Sequence, residues 1–470
     1  MKTYWRIAAA IAFAAVAATP MFAVQGKADF SRFVALGDSY GAGVESSSLN
    51  ERHQPFSWPA VIARQVGLTI CPRTATATDN CFAEPLVSFP GIGPELQLVN
   101  LAPTIVPAPG QGVPLMTGFG RPYNNLSIPG GTIGSTLALT GAEPAQANEP
   151  TPVTFSRFIL RGLGTAPDQA LALHPTFIAI WLGGNDYLSI AFSGTPATMT
   201  SAADFRARYE ALVNKLATGA PNAGMVLGNL PVAAVPYISL VPPLLVDPNT
   251  RQPILGPNGQ PIFFIARTGD TVAQLTPNDF VLLHARADLA QGYGLPAAFK
   301  NIPPFNALPH VGEPLPDADV VTAAEFAQVT ARVAEYNKAI TDIAGARGIP
   351  VADIAGLFNR VSHGFQVGPV RISKDFITGG FYSLDGFHLT DAGYMLFANE
   401  YIKAINAGYG TRIPVAGLGQ LMANNGGFFP QTITGQTVTD GSGWTMSDDT
   451  VRQIRSIMYQ QPTRARAVRH

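Results

Sequence analysis

The sequence predicts an α/β protein: a parallel sheet covered by helices on both faces. Three observations point there. Short, nearly uncharged runs of β-prone residues recur, and each ends in a glycine or a turn. The runs are continuously apolar rather than alternating, as strands buried on both faces are. Capped stretches with apolar residues at helical spacing lie between them.

The first run is "RFVALGDS", Arg32 to Ser39, a short strand followed by a loop. "TFIAIWLGGND", Thr176 to Asp186, repeats the design, with Gly183 and Gly184 at its end. "GMVLGNLP" (Gly224 to Pro231) and "GIPVADI" (Gly348 to Ile354) are the third and fourth. Ser201 and Asp204 cap a helix whose Phe205, Tyr209, Leu212, Val213 and Leu216 share one face. Thr322 and Glu325 form a capping box before a long helix that Gly348 is expected to end. A last helix carries Tyr394, Phe397, Tyr401 and Ile402 on its apolar face.

Two long segments fit no such unit. Residues 83–122 are rich in Pro and Gly, and residues 237–310 contain "DPNTRQPILGPNGQPIFF", which reads as a small β-hairpin. Both are read as insertions over the carboxyl edge of the sheet. The main unit thus spans residues 30–407. In the extension, residues 408–470, Ser447, Asp448 and Asp449 cap one short helix, and "PTRARAVRH" reads as disordered. Its five arginines from Arg452 to Arg469 read as a solvated tail, with contact to an anionic surface as the alternative.

The chain has 470 residues, 47% of them hydrophobic, enough for a substantial core. Its 30 Lys+Arg against 31 Asp+Glu leave no global basic field, which excludes nucleic acid as an expected partner. Charged residues make up 13%, about half the usual share of roughly 25%. Residues 1–23 read as a secretory signal peptide: Lys2 and Arg6, an uncharged stretch from Ile7 to Ala18, then small residues at Ala17, Ala18 and Ala23. An uncleaved anchor is the alternative. The protein is accordingly expected to be secreted or periplasmic, where Cys71 and Cys81 read as one small disulfide loop.

Gly37-Asp38-Ser39-Tyr40-Gly41 matches two patterns. One is the strained G-x-S-x-G elbow of α/β-hydrolases, which follows several strands. The other is a G-D-S motif after the very first strand. Ser39 stands too close to the N-terminus for the former. A serine hydroxyl needs a base, and the base needs an orienting group. Of seven histidines, only His388 has an aspartate three residues before it, Asp385 in "SLDGFHLTDAGY". His174 reads as a loop residue; His53, His284, His310, His363 and His470 are assigned surface or structural roles. Oxyanion donors could come from the glycine turn in "NNLSIPGGT" at Gly130 and from Asn185 in "LGGND".

G-D-S, then the glycine of "SIPGGT", then G-x-N-D, then D-x-x-H, in that order, resembles the GDSL or SGNH hydrolase family over roughly Phe33 to Ala407. The resemblance implies a three-layer α/β/α sandwich, flavodoxin-like, with about five parallel strands. It implies Ser39 as nucleophile, His388 as general base and then acid, and Asp385 as its orienting group. It implies an oxyanion hole of the Ser39 and Gly130 N–H groups and the Asn185 amide. Tyr40 stands where the family name has leucine, a position that carries no chemistry. The reaction implied is carboxylic ester hydrolysis through an acyl-enzyme. No cofactor is required, and no clustered ligands in the sequence suggest a metal.

"NLPVAAVPYISLVPPLLV", Asn229 to Val246, is nearly uncharged, but its prolines break any membrane helix. It reads either as core strand plus packed loop or as an apolar wall for an acyl chain. The second reading favours lipid-like esters and peripheral contact with lipid surfaces. The rivals are a carbohydrate O-acetylesterase on the same scaffold and a non-catalytic secreted binding protein. An intact Ser39, Asp385 and His388 argue against the last.

Overall fold

Four of the apolar runs form parallel strands: β1 (Phe33–Gly37), β2 (Phe177–Trp181), β3 (Gly224–Gly228) and β4 (Val351–Ala352), hydrogen-bonded in that order. The computed structural model describes residues 24–99, 104–232, 235–247, 250, 252–424, 426–427 and 445–446. The expected signal peptide, the short helix after Ser447 and the arginine-rich end lie outside the described residues. Phe33 pairs with Phe177, Phe177 with Gly224, and Leu227 with Val351, so the first three strands end at one level. Every residue of β1, β2 and β3 is buried, which is why these runs are continuously apolar.

A fifth extended segment, residues 124–128, runs along the other edge of β1. The Ala35 N–H donates to the Asn124 carbonyl, Leu126 N–H to Ala35, and Ile128 N–H to Gly37, each at 2.9 Å. With it, the spatial order becomes the second, first, third, fourth and fifth extended segments of this sheet, the flavodoxin-like order. The order reverses at β1, and open α/β sheets place their sites at that switch point, outside the carboxyl ends of the strands.

Helices cover both faces. After α1 (Ser39–Ala42) come α2 (Trp58–Gln65), α3 (Ile133–Ala138), α4 (Ala202–Gly219), α5 (Ala323–Gly345) and α6 (Asp391–Tyr409). Ser201 and Thr322 cap α4 and α5 as expected, and Thr390 caps α6. Helix α5 stops at Gly345, and Ile349 N–H closes onto the Ala344 carbonyl at 2.9 Å. Gly348 sits within that turn at φ 62°, a conformation that favours glycine, and so closes the helix end as expected. On one face Trp58 stacks on Tyr401 of α6, ring centroids 4.6 Å apart, and the Tyr401 hydroxyl donates to the Ile180 carbonyl of β2. On the other, Phe205 of α4 stacks on Tyr336 of α5 at 3.8 Å.

The two insertions build small cores of their own. Phe264, Val281, Leu295 and Leu315 pack together within and just after residues 237–310. The stretch read as a hairpin forms scattered antiparallel bridges, Val246 with Pro253 and Leu255 with Pro261. Residues 83–122 hold the antiparallel pair Leu96–Leu98 and Thr104–Pro107 and lean on the turn after α1, through Leu96 N–H to the Ser46 carbonyl. The expected boundary at residue 407 falls inside α6. Beyond that helix, the Asn399 side chain bonds both the N–H and the carbonyl of Ala416, and α7 (Leu418–Ala423) buries Leu421. Among the described residues no helix is long and apolar enough to cross a membrane.

Cys71 and Cys81 are joined in a disulfide and pack against Leu86, Met116 and Phe119. Replacing both by serine should lower unfolding free energy by about 2–3 kcal/mol, because closing a short loop removes entropy from the unfolded chain. Urea titration of both forms tests this; coincident midpoints would show that the loop is held by its packing alone.

Candidate active site

β1 ends at Gly37, and the chain turns at once into α1, whose first residue is Ser39. Asp38 caps this turn: its Oδ1 accepts the Tyr40 N–H at 3.0 Å. The glycines on either side allow Ser127 to pack closely. A Cβ on Gly41 would lie 2.2 Å from Ser127 Oγ, well inside contact distance. The Ser39 hydroxyl and its backbone N–H make no hydrogen bond among the described residues.

The histidine arrives from the opposite end of the chain, in the loop before α6. His388 Nδ1 lies 2.7 Å from Asp385 Oδ2. Asp385 Oδ1 accepts the N–H groups of Phe387 (2.9 Å) and His388 (2.8 Å), and the hydroxyl of Ser383. Its Oδ2 also accepts from the Ser47 N–H at 2.7 Å, so the turn after α1 clamps the carboxylate. Burial alone would raise this carboxyl. His388 beside it and the converging N–H donors outweigh burial and hold it at about 2. A carboxylate so fixed makes Nδ1 the protonated nitrogen and leaves Nε2 to accept. Nε2 makes no hydrogen bond among the described residues.

Tyr40, assigned no chemistry from sequence, positions this loop. Its hydroxyl donates to the Phe387 carbonyl at 2.8 Å, its ring stacks on Trp181 at 5.1 Å, and the His388 ring centroid lies 5.8 Å away. A leucine could not make that hydrogen bond.

Gly130 and Asn185 lie in the turns that follow the two extended segments flanking β1, Asn185 as the first residue of a short helix, Asn185–Leu188. Gly130 adopts φ 73°, and its N–H makes no hydrogen bond among the described residues. Asn185 is more engaged than expected. Its amide donates to Asp38 Oδ2 at 3.2 Å and to the Gly131 carbonyl at 3.1 Å, tying both flanking segments to the serine turn. Burial pushes Asp38 up to about 8, and the charge of Asp186 adds to this. Asp186 is itself raised to about 6 by burial; it accepts the Ile133 N–H that opens α3.

The remaining histidines divide. His284 is buried, with Nδ1 against the Tyr237 hydroxyl at 2.8 Å, and His53 lies among three carboxylates. His310 and His363 are held by Glu313 and by the Asn359 carbonyl.

The family described as GDSL-like Lipase/Acylhydrolase matches residues 33–401. The chain belongs to this family. It is therefore a hydrolase of ester substrates. Among solved structures, a GDSL-like lipase candidate from Parabacteroides merdae ATCC 43184 is similar at 12% identity, over 82% of this chain and 99% of that one, with a TM-score of 0.32. No curated protein matches the chain in sequence. The GDSL match runs from β1 into α6 and so includes Ser39, Gly130, Asn185, Asp385 and His388.

Proposed function

We propose that the protein is a secreted serine esterase that cleaves lipid-like carboxylic esters through an acyl-enzyme on Ser39. The observation that carries this reading is the Asp385–His388 pair, buried and locked in one tautomer beside the serine turn. Ser39 Oγ attacks the ester carbonyl while His388 Nε2 takes its proton. The tetrahedral oxygen accepts from the Ser39 and Gly130 N–H groups. The Asn185 amide supplies a third donor by turning one N–H away from the Gly131 carbonyl. His388 returns the proton to the leaving alcohol, and water, activated the same way, releases the acid.

The lipid-like substrate is supported by a cavity of about 380 Å³ in the 237–310 insertion, lined by Leu240, Val241, Leu244, Leu245, Leu295 and Phe305. It begins three residues after Tyr237, whose N–H donates to the Gly386 carbonyl inside the Asp385–His388 loop. Rates on p-nitrophenyl esters from acetate to palmitate test it. A maximum at medium or long chains is expected; activity on acetate alone would favour the carbohydrate acetylesterase.

Asn185→Ala should lower kcat roughly 10²-fold with KM little changed, since the lost bond matters only when charge develops. It should also lower the melting temperature, because Asp38 Oδ2 loses a donor. Lost stability with kcat within a few-fold of wild type would make the amide a turn-holding group only.

A further inference from the structure

One buried cluster lies outside the ester-cleaving residues. Glu45, in the turn after α1, meets His53, Glu95 from the 83–122 insertion, and Asp391, the first residue of α6. All four are more than nine-tenths buried. His53 Nδ1 lies 3.0 Å from Asp391 Oδ1 and 3.2 Å from Glu45 Oε2. One ring nitrogen carries at most one proton, and only its contact with Asp391 has hydrogen-bond geometry. Glu45 Oε2 is sealed from solvent and makes no hydrogen bond.

The spacing suits an ion. The three atoms all lie within 4.8 Å of one another. In tetrahedral coordination, metal–ligand bonds of about 2.0–2.1 Å place ligand atoms about 3.3 Å apart. The outer layer is also in place. On the far side of the ring, His53 Nε2 faces Glu95 Oε2 at 3.3 Å, and Asn50 Nδ2 donates to that oxygen at 3.1 Å. Metal-binding histidines characteristically give their second N–H to such a carboxylate. Asp391 Oδ2 accepts the Gly427 N–H at 2.7 Å. A cavity of about 890 Å³ lined in part by His53 and Asp391 offers an entry path. Two arginines also line it: Arg52 lies over the Phe89 ring with its charge acting on Glu95, and Arg64 donates to the Pro55 carbonyl with its charge acting on Asp391.

We propose that Glu45 Oε2, His53 Nδ1 and Asp391 Oδ1 form a site for a divalent cation that prefers nitrogen and oxygen donors, Zn²⁺ or Mn²⁺. The role is structural. Glu45 stands two residues before Ser47, which holds Asp385, and Asp391 stands three residues after His388. The ion ties together the two segments that frame the Asp385–His388 pair. The three ligands are scattered through the sequence, so no ligand spacing announces them.

The test uses the full chain, stripped with a chelator and dialysed, then titrated calorimetrically with Zn²⁺ and separately with Mn²⁺. At least one ion should bind saturably at one equivalent and raise the melting temperature by a few degrees. Glu45→Gln and Asp391→Asn preserve shape and should abolish that binding. Glu95→Gln should weaken it about 10–100-fold. Ser39→Ala should bind as wild type does. No stoichiometric uptake of either ion, or equal uptake by Glu45→Gln and Asp391→Asn, would overturn the proposal. If those variants do not fold, Co²⁺ added to the wild-type chain decides: visible ligand-field bands displaced by Zn²⁺ support the site, and a silent spectrum refutes it.

Discussion

Ser39→Ala abolishes ester hydrolysis while the protein melts almost where the wild type does. The two halves of this expectation rest on different observations. The Ser39 hydroxyl has no hydrogen-bond partner among the described residues, so removing it leaves no buried group unpaired. The Asp38 cap, the Tyr40 bond to Phe387 and the Ser127 contact at Gly41 all survive the change. On the proposed mechanism, activity depends on that single oxygen. Removing the nucleophile from a comparable serine triad costs on the order of 10⁶ in kcat. Initial rates on the best p-nitrophenyl ester, with calorimetric melting and labelling by a fluorophosphonate, separate the effects. Loss of label and rate with an unchanged melting curve is the expected set. A variant that still turned over at a tenth of the wild-type rate would remove Ser39 from the mechanism.

Much of this was readable because the determinants are local. A buried parallel strand must be apolar on both faces, so β1, β2 and β3 stand out as runs. Ser201 and Thr322 announce their helices because a capping hydroxyl serves an N–H three residues on. Asp385 and His388 are three apart, within the reach of one turn. Ser57 carries the same kind of signal for α2, with Pro59 in the first turn.

Other features are set by distant partners. Residues 124–128 read as part of the glycine turn that runs from Asn124 to Thr132. In the fold Asn124 Nδ2 donates to the Phe33 carbonyl and Asn124 Oδ1 accepts from Ala83 N–H. The polar side chains thus bond to neighbouring backbone while the segment stays extended. Likewise Asn185 could be placed at a strand end, but its bonds to Asp38 and Gly131 depend on three segments meeting. His53 has no carboxylate at helical spacing; its partners Glu95 and Asp391 come from elsewhere in the chain.

Asp385→Asn should cut kcat by roughly 10⁴-fold with the fold retained. The carboxylate accepts at both oxygens, and Oδ2 in particular receives His388 Nδ1–H, which keeps Nε2 free to take the serine proton. An amide can present its NH₂ to Nδ1 instead. The ring then carries its proton on Nε2, the wrong tautomer for a base. Stability should change with a defined pH dependence. Asp385 is held at about 2, below the roughly 3.9 of an unfolded chain. Its ionised form therefore stabilises the fold fully above about pH 4, and that contribution is lost as pH falls from 4 towards 2. The substituted protein lacks it at every pH. Urea unfolding of both proteins should show a gap at pH 5 that narrows below pH 4. A gap independent of pH down to 3 would mean that the charge of Asp385 adds nothing to folding. A kcat within tenfold of wild type would mean that His388 finds its tautomer without that carboxylate.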